Sequence, residues 1–260
     1  MSRITEGRLD RRYLRKVELL HEKIDAPGVY PFNLPAVREL EKIEFHERVT
    51  YMVGENGVGK STLLEAIAAA WGFNPEGGTL NFNFATAETH SSLHRYIRLI
   101  RGTARPKDGF FFRAESYYNV ATTIDELDKD PCGGKIIDSY GGRSLHEQSH
   151  GEAFFATFMH RFGAGGLYIL DEPEAALSPV RQLAMLTRIH ELARSGGQFI
   201  ISTHSPLLMA YPHSRLYSLT ANGIRECRVE ETEHYIITRE FLNNRESMLE
   251  ALLEEDEEEQ

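Results

Sequence analysis

The chain has 260 residues, of which 41% are hydrophobic and 26% charged, and its formal net charge is −10. This length can bury one sizeable core, and no window reaches the roughly 18 consecutive apolar residues that a membrane span needs. Only Cys132 and Cys227 are present, neither in a C-x-x-C pair, and the charged N-terminal stretch lacks the apolar region of a secretory signal. These features argue against a disulfide framework and a zinc ribbon, and predict a cytoplasmic protein without direct membrane insertion.

The acidic excess lies at the C-terminal end of the chain. Residues 229–260 contain twelve acidic and two basic residues, so residues 1–228 are balanced, with 27 of each. A segment that ends in EEDEEEQ is typical of a solvated helix end or tail, and a specific interaction arm is the alternative. The net charge therefore does not exclude any class of partner, and nucleic acid remains a candidate partner.

The predicted elements alternate between strands and helices, which indicates one α/β domain. In chain order they are strands over 13–20 and 48–53, helices over 60–70 and 91–102, strands over 109–115 and 166–170, a helix over 179–195 and a strand over 197–202. Ser178 is the predicted N-cap of the helix that begins at Pro179, and Gly196 follows its end. Open α/β sheets bind ligands where their strands end, so the loops after these strands are the candidate sites.

A group of basic residues follows the predicted helix over 91–102 and its exit. Its members are Arg95, Arg98, Arg101, Arg105 and Lys107. The pattern fits a solvated helix face, and a patch for DNA or a protein partner is the alternative.

The segment GENGVGKST, Gly54–Thr62, matches the pattern G-x-x-x-x-G-K-[ST] between a predicted strand and a predicted helix. Glycines let backbone N–H groups surround phosphates, and the helix N-terminus adds a favourable dipole. Lys60 is predicted to reach the terminal phosphates, and Ser61 to ligate Mg²⁺. The predicted nucleotide-binding residues are Gly54, Glu55, Asn56, Gly57, Val58, Gly59, Lys60, Ser61 and Thr62. The alternative, a plain glycine-rich turn, does not account for the flanking strand and helix.

Two further loops carry residues suited to phosphate chemistry. GLYILDEPEAALSP ends a buried strand with Asp171, suited to holding Mg²⁺ through its water shell, and Glu172, suited to activating the attacking water. FIISTHSP ends another buried strand at His204. A lone histidine is usually structural, but a strand beside that of Asp171 would bring His204 near the terminal phosphate. The predicted catalytic residues are Glu172, His204 and Lys60, and an ordinary strand ending in a charged turn is the alternative for the first loop.

The order of these motifs resembles that of ABC-type ATPases, in particular the RecF, structural-maintenance-of-chromosomes and OLD-type heads. GENGVGKST corresponds to Walker A, SHGE to the signature, LYILDEPEAALSP to Walker B with the D-loop and STHSP to the His switch, so the resemblance covers residues 53–206. The segments YPFNLPAV, FNPEGG, RSLHEQSHGEAFF and DEPEAALSPVRQLA also look like a small single-domain group of bacterial predicted ATPases. The resemblance implies an α/β P-loop NTPase fold with a mostly parallel sheet flanked by helices, and ATP and Mg²⁺ as cofactors.

The segment HEQSHGEAFF gains a role from this resemblance. In dimers of this family the signature loop contacts the γ-phosphate bound by the opposite subunit, which implies that role for Ser149 and Gly151. His150 and Glu152 depart from the LSGGQ of transporter ATPases. From the residues alone, a capped helix without a ligand and a metal pair formed by His146 and His150 are the alternatives.

The 88 residues between Lys60 and Ser149 are too few for a long coiled-coil arm. We therefore predict an ATPase domain over 1–240 with a compact helical lobe over about 86–160, and a C-terminal acidic helix or tail over 241–260. The resemblance makes Glu115 the equivalent of the family's Q-loop Gln. Tyr30 or Phe32 could stack on adenine, with core or turn packing as the alternative.

These features predict Mg²⁺-dependent ATP hydrolysis by a homodimer that drives or gates a partner. The partner would be a protein, such as an effector or nuclease, or a nucleic acid in a process of the DNA repair or defence type. Two alternatives share the same residues: the ATP-binding subunit of a membrane transporter, and a nucleotide sensor that gates a nuclease or toxin.

Overall fold

The computed structural model describes residues 11–80, 91–114, 117, 121–122, 124, 128, 136–140, 142 and 150–253. The strands of this part are β1 (Leu14–Leu19), β2 (Lys42–Glu44), β3 (Val49–Val53), β4 (Gly78–Thr79), β5 (Ile97–Arg101), β6 (Asp108–Arg113), β7 (Gly166–Asp171), β8 (Gln198–Ser202), β9 (Ser214–Thr220) and β10 (Gly223–Cys227). The α-helices of this part are α1 (Pro35–Arg38), α2 (Lys60–Trp71), α3 (His150–Arg161), α4 (Pro179–Arg194), α5 (Pro206–Met209), α6 (Glu233–Asn243) and α7 (Arg245–Leu253). Short 3-10 turns are His21–Lys23, Ser92–Arg95, Ile136–Tyr140 and Val229–Glu231.

The described strands form two sheets. The larger has the order β10-β9-β3-β8-β7-β6-β4, parallel from β9 to β6 and antiparallel at both edges. The smaller is antiparallel, with the order β2-β1-β5. A mostly parallel sheet with helices on its faces is the predicted fold class, which is therefore confirmed.

The central strands are covered on both faces. Every residue of β3, β7 and β8 is buried, as expected for parallel strands between two layers. Side chains of successive residues alternate between two cores, so Tyr51 packs with α3 and α4 while Met52 packs with α2 and the smaller sheet. This packing fixes the strand ends, and with them the loops that follow.

Gln198, at the start of β8, joins the smaller sheet to the larger. Its side chain is fully buried. Oε1 accepts from the N–H groups of Tyr13 and Leu14, both at 2.9 Å, while Nε2 donates to the carbonyls of Leu14 at 2.8 Å and His46 at 2.9 Å. Both side-chain donors and both acceptor sites are thus used, as a buried amide requires.

The predicted helix over 91–102 is wrong. Residues 92–95 form a 3-10 turn, and 97–101 form β5, which pairs with β1. The basic residues therefore do not share a helix face. Arg98 pairs with Glu18 at 2.5 Å, and Arg101 donates to the carbonyl of Trp71 at 3.2 Å and lies over its ring.

The other predicted strands and helices in the described region are confirmed. Ser178 caps α4, its Oγ accepting from Arg181 N at 3.4 Å, and Gly196 follows the end of α4 with φ +90°. The longest described helix is α4, with 16 residues. The predicted lobe over 86–160 contains β5, β6 and α3, and the domain limits stay a prediction. In the part of the chain described above, none of the helices is both long and apolar enough to cross a membrane.

Candidate functional site

The loop after β3 owes its path to glycines. Gly54, Gly57 and Gly59 have φ values of +152°, +79° and +106°, in the region that side chains other than glycine rarely adopt. A Cβ on Gly54 would also lie 2.2 Å from the carbonyl oxygen of Leu219, in β9. The loop therefore leads directly into α2, whose first residue is Lys60, and its backbone N–H groups stand at a helix N-terminus.

Lys60 is held inside this loop. Its side chain is 4% exposed, and its Nζ donates to the carbonyls of Gly54 at 2.8 Å and Glu55 at 2.9 Å. Burial lowers the pKa of Lys60 from its ordinary value, while the carboxylates of Glu172 and Asp171 oppose that shift. The ammonium is thus desolvated and faces two carboxylates, so an incoming phosphate would meet a pre-positioned cation.

Asp171, at the end of β7, lies beside Ser61 and Ser202. The Oδ1 atom of Asp171 accepts from Ser61 Oγ at 3.1 Å and from Ser202 Oγ at 2.5 Å. Burial raises the pKa of Asp171, while the two hydroxyls oppose the rise. A buried carboxylate beside a hydroxyl supplies the oxygen ligands that Mg²⁺ prefers. The predicted metal ligands Ser61 and Asp171 therefore lie together.

Glu172 has an unusual backbone. Its φ is +48°, and among the described residues it is the only non-glycine residue with a positive φ. This backbone conformation costs energy for a residue with a long side chain. Its N–H donates to the carbonyl and the hydroxyl of Ser202, at 3.2 and 3.1 Å, which holds the turn. Such strain is typical of functional sites, and here it places the carboxylate beside His204.

His204 follows β8, the neighbour of β7, and Asp171 pairs with Ser202 in register. Its Nε2 lies 3.1 Å from Glu172 Oε1, and its backbone N–H donates to Glu174 Oε1 at 2.6 Å. The two residues predicted to catalyse hydrolysis therefore form a hydrogen-bonded pair. Glu174 was not predicted; its position two residues after Glu172, in the same acidic turn, was the available signal.

His234, at the start of α6, is a second residue that the sequence did not predict. Its Nε2 lies 2.8 Å from His204 Nδ1. Burial lowers the pKa of His234, with the charges of His204 and Lys60 acting in the same direction. A histidine in the segment TEHY carries no motif, so only the packing of α6 reveals this contact.

A cavity of about 560 Å³ opens between the glycine-rich loop and the C-terminal part of the chain. Its walls include Glu55, Asn56, Asn222, Arg225 and His234. The volume lies within the range of small-ligand sites.

The two candidates for adenine stacking have different surroundings. Phe32 is buried, with its ring edge-on to Tyr96 at 4.8 Å, and so belongs to the core. Tyr30 is 61% exposed. The exposed ring of Tyr30 can therefore stack on adenine, whereas the ring of Phe32 is covered by its core contacts.

The predicted signature segment is described from His150 onward, and Ser149 and Glu115 lie outside the described residues. Gly151, in the first turn of α3, packs against the loop after β7, and a Cβ there would lie 2.1 Å from the carbonyl oxygen of Ala176. Glu152 pairs with Arg181 of α4 at 3.3 Å. The start of α3 is thus fixed to the loop that carries Glu172, and the predicted nucleotide contact of Gly151 stays a prediction.

Replacing Gly151 with Ala is expected to lower the free energy of unfolding by about 1–3 kcal/mol, because the methyl group would overlap the Ala176 backbone and force α3 to shift. Urea denaturation followed by circular dichroism measures the change. Gly163→Ala is the matched control, since a Cβ on Gly163 meets no atom within 4 Å. Equal stability of the two variants would contradict the close packing.

Comparison with known proteins finds two protein-family profiles along the chain. Residues 29–130 match a family described as "AAA domain", and residues 138–210 match one described as "AAA domain, putative AbiEii toxin, Type IV TA system". The first match contains the glycine-rich loop and the second contains Asp171, Glu172 and His204. Both halves of the candidate site therefore lie in segments typical of such domains.

Individual relatives are ATP-binding proteins. The cytochrome c biogenesis ATP-binding export protein CcmA of Legionella pneumophila is 27% identical over 177 residues, which are 65% of this chain and 86% of the relative. The vitamin B12 import ATP-binding protein BtuD of Escherichia coli is 28% identical over 168 residues, 60% of this chain and 66% of the relative. Among solved structures, the SMC head domain from Thermotoga maritima has a TM-score of 0.40 and 18% identity, and the match covers 83% of this chain and 98% of that one.

Proposed function

We propose that this chain closes as a homodimer around two ATP molecules. The chain is an ATPase with a P-loop domain of the AAA/ABC type that uses ATP and Mg²⁺. Closing and opening would drive or gate a partner protein or a nucleic-acid process of the DNA repair or defence type. The observation that carries the proposal is the convergence of Lys60, the Ser61–Asp171 pair and the Glu172–His204 pair at neighbouring strand ends.

The proposed roles follow from these contacts. Lys60 and the backbone N–H groups of the loop bind the phosphates, and the two carbonyls that Lys60 now contacts release it to the ligand. Ser61 and Asp171 would hold Mg²⁺, which would supply positive charge to neutralise the phosphates. Glu172 orients and deprotonates the attacking water, and His204 donates its Nε2–H to the γ-phosphate.

The homodimer is proposed to complete each site with Ser149 and Gly151 of the opposite subunit. A helix N-terminus such as that of α3 is a favourable place for phosphate. Near the start of α4, Val180 is 76% exposed and Leu183 is 50% exposed. Arg181 of the same helix pairs with Glu152 of α3, so these apolar residues lie near the start of α3. An apolar surface beside this helix end supports an interface there.

The proposal is tested by the dependence of ATPase rate on protein concentration. Specific activity should rise with concentration and level off, because a monomer holds an incomplete site. In Glu172→Gln, an ATP-bound dimer should accumulate and be visible by light scattering after size exclusion. Constant specific activity across a range that includes monomers would contradict a site shared between subunits.

Two other functions are favoured by particular similarities. The relatives named for export and import support an ATP-binding subunit of a transporter, which would need a separate membrane partner. The family description that names a toxin supports a nucleotide sensor that gates a toxin or nuclease. Turnover measured with and without DNA, and with co-purified proteins, separates these functions. All three are compatible with the proposed cytoplasmic location, where ATP is available.

A further inference from the structure

His204 has hydrogen-bond partners on both of its ring nitrogens. Nε2 lies 3.1 Å from Glu172 Oε1, and Nδ1 lies 2.8 Å from His234 Nε2. We infer that His234 is a positioning residue of the ATPase site, which holds the ring orientation of His204 and, together with Glu172, its tautomer. The inference rests on the proposed role of His204 and adds a C-terminal residue to that site.

The hydrogen positions follow from the partners. An ionised Glu172 carboxylate only accepts hydrogen bonds, so Nε2 of His204 carries the hydrogen of that contact. A neutral His204 then has a bare Nδ1, which accepts from Nε2–H of His234. The His234 contact therefore supports the tautomer that the Glu172 contact requires, and it stays in place when Nε2–H turns to the proposed phosphate position.

The ring orientation is restrained by the same two contacts. Turning the imidazole over would break both hydrogen bonds, and the ring of His234 lies 4.9 Å away, tilted by 57°. The backbone N–H of His204 is held separately by Glu174. His204 can thus exchange Glu172 for a phosphate oxygen at Nε2 while its Nδ1 contact stays in place.

His234 is itself well anchored. Thr232, the N-cap of α6, is 3% exposed; its Oγ1 donates to the carbonyl of Val229 at 2.7 Å and accepts from Tyr235 N at 3.4 Å. The same hydroxyl contacts Met209 of α5. The first turn of α6 is therefore fixed against α5, which follows His204 in the chain.

The direct test compares His234→Ala with His234→Gln. Loss of the donor in His234→Ala should lower kcat by about 10-fold, the scale of one orienting hydrogen bond, with KM for ATP within about 2-fold of wild type. His234→Gln should recover most of the rate, because its amide N–H can replace Nε2–H. Ile237→Ala, at an exposed position on α6, is the matched control and should behave as wild type.

A second measurement needs no ATP. The imidazole ¹⁵N shift of His204 Nδ1 should report a nitrogen that accepts a hydrogen bond in the wild type and in His234→Gln, and should change in His234→Ala, where that donor is lost. Wild-type kcat in His234→Ala, or an Nδ1 shift equal to that of the wild type in it, would overturn the inference. An inactive wild-type chain would contradict the proposed function, while the nitrogen shifts would still decide the role of His234.

Discussion

Replacing Glu172 with Gln is expected to leave ATP binding intact and to slow turnover at least ~100-fold, the scale of a lost general base. The amide cannot accept the proton of the attacking water. The glutamine side chain has nearly the same size as glutamate. Its oxygen can still accept a hydrogen bond from His204 Nε2, which lies 3.1 Å from the Glu172 carboxylate in the wild type. Equilibrium binding of a fluorescent ATP analogue and single-turnover hydrolysis measure the two steps separately.

Glu191→Gln provides the matched control. Glu191 lies on the exposed surface of α4, in a pair with Arg188 whose contribution to stability should be small. We expect binding and turnover of this control to equal those of the wild type. Turnover of Glu172→Gln within a few-fold of wild type would remove Glu172 from the proposed mechanism.

The strands that carry the site were predictable because each ends in a short motif. β3 leads into the glycine-rich loop, and fully buried β7 and β8 end next to Asp171 and His204. Continuous apolar runs of this length are typical of parallel strands, and the motif order then limits which strands are neighbours.

β5 was not predictable in the same way. In the segment LHRYIRLI, Leu93, Ile97 and Ile100 have helical spacing, while Ile97 and Leu99 have strand spacing. Local pattern alone cannot separate these structures, and the pairing of β5 with β1 decides the outcome. A long-range interaction thus overrides the local preference.

The His204–His234 contact depends on tertiary packing alone. The two residues are 30 positions apart, and the contact requires α6 to return to the ends of the central strands. The positive φ of Glu172 likewise arises from its two hydrogen bonds to Ser202, which no local pattern encodes. Sequence therefore predicted the residues that the structure brings together at this site, but not His234 or the Ser202 contacts that surround them.

Lys60→Ala is expected to weaken ATP binding by about 100-fold or more, since truncating a buried charged partner of a phosphate typically costs ~2–5 kcal/mol. The change removes the ammonium of a residue that is 4% exposed, together with its hydrogen bonds to the two backbone carbonyls. Calorimetric titration with ATP and Mg²⁺ measures the loss. Lys42→Ala is the matched control, because that lysine is exposed and should not affect affinity. ATP affinity of Lys60→Ala equal to that of the control would contradict the phosphate role of Lys60.

The claim that each site is shared between two subunits is tested most directly by mixing two inactive variants. Lys60→Ala lacks the ammonium that is proposed to bind phosphate, and Ser149→Arg places a bulky side chain in the proposed trans contact. A mixed dimer joins the intact loop of one chain to the intact signature of the other, so it holds one complete site of two. An equal mixture should regain roughly a quarter of wild-type turnover, since half of randomly paired dimers are mixed. No turnover in mixed dimers confirmed by native mass spectrometry would contradict the shared site.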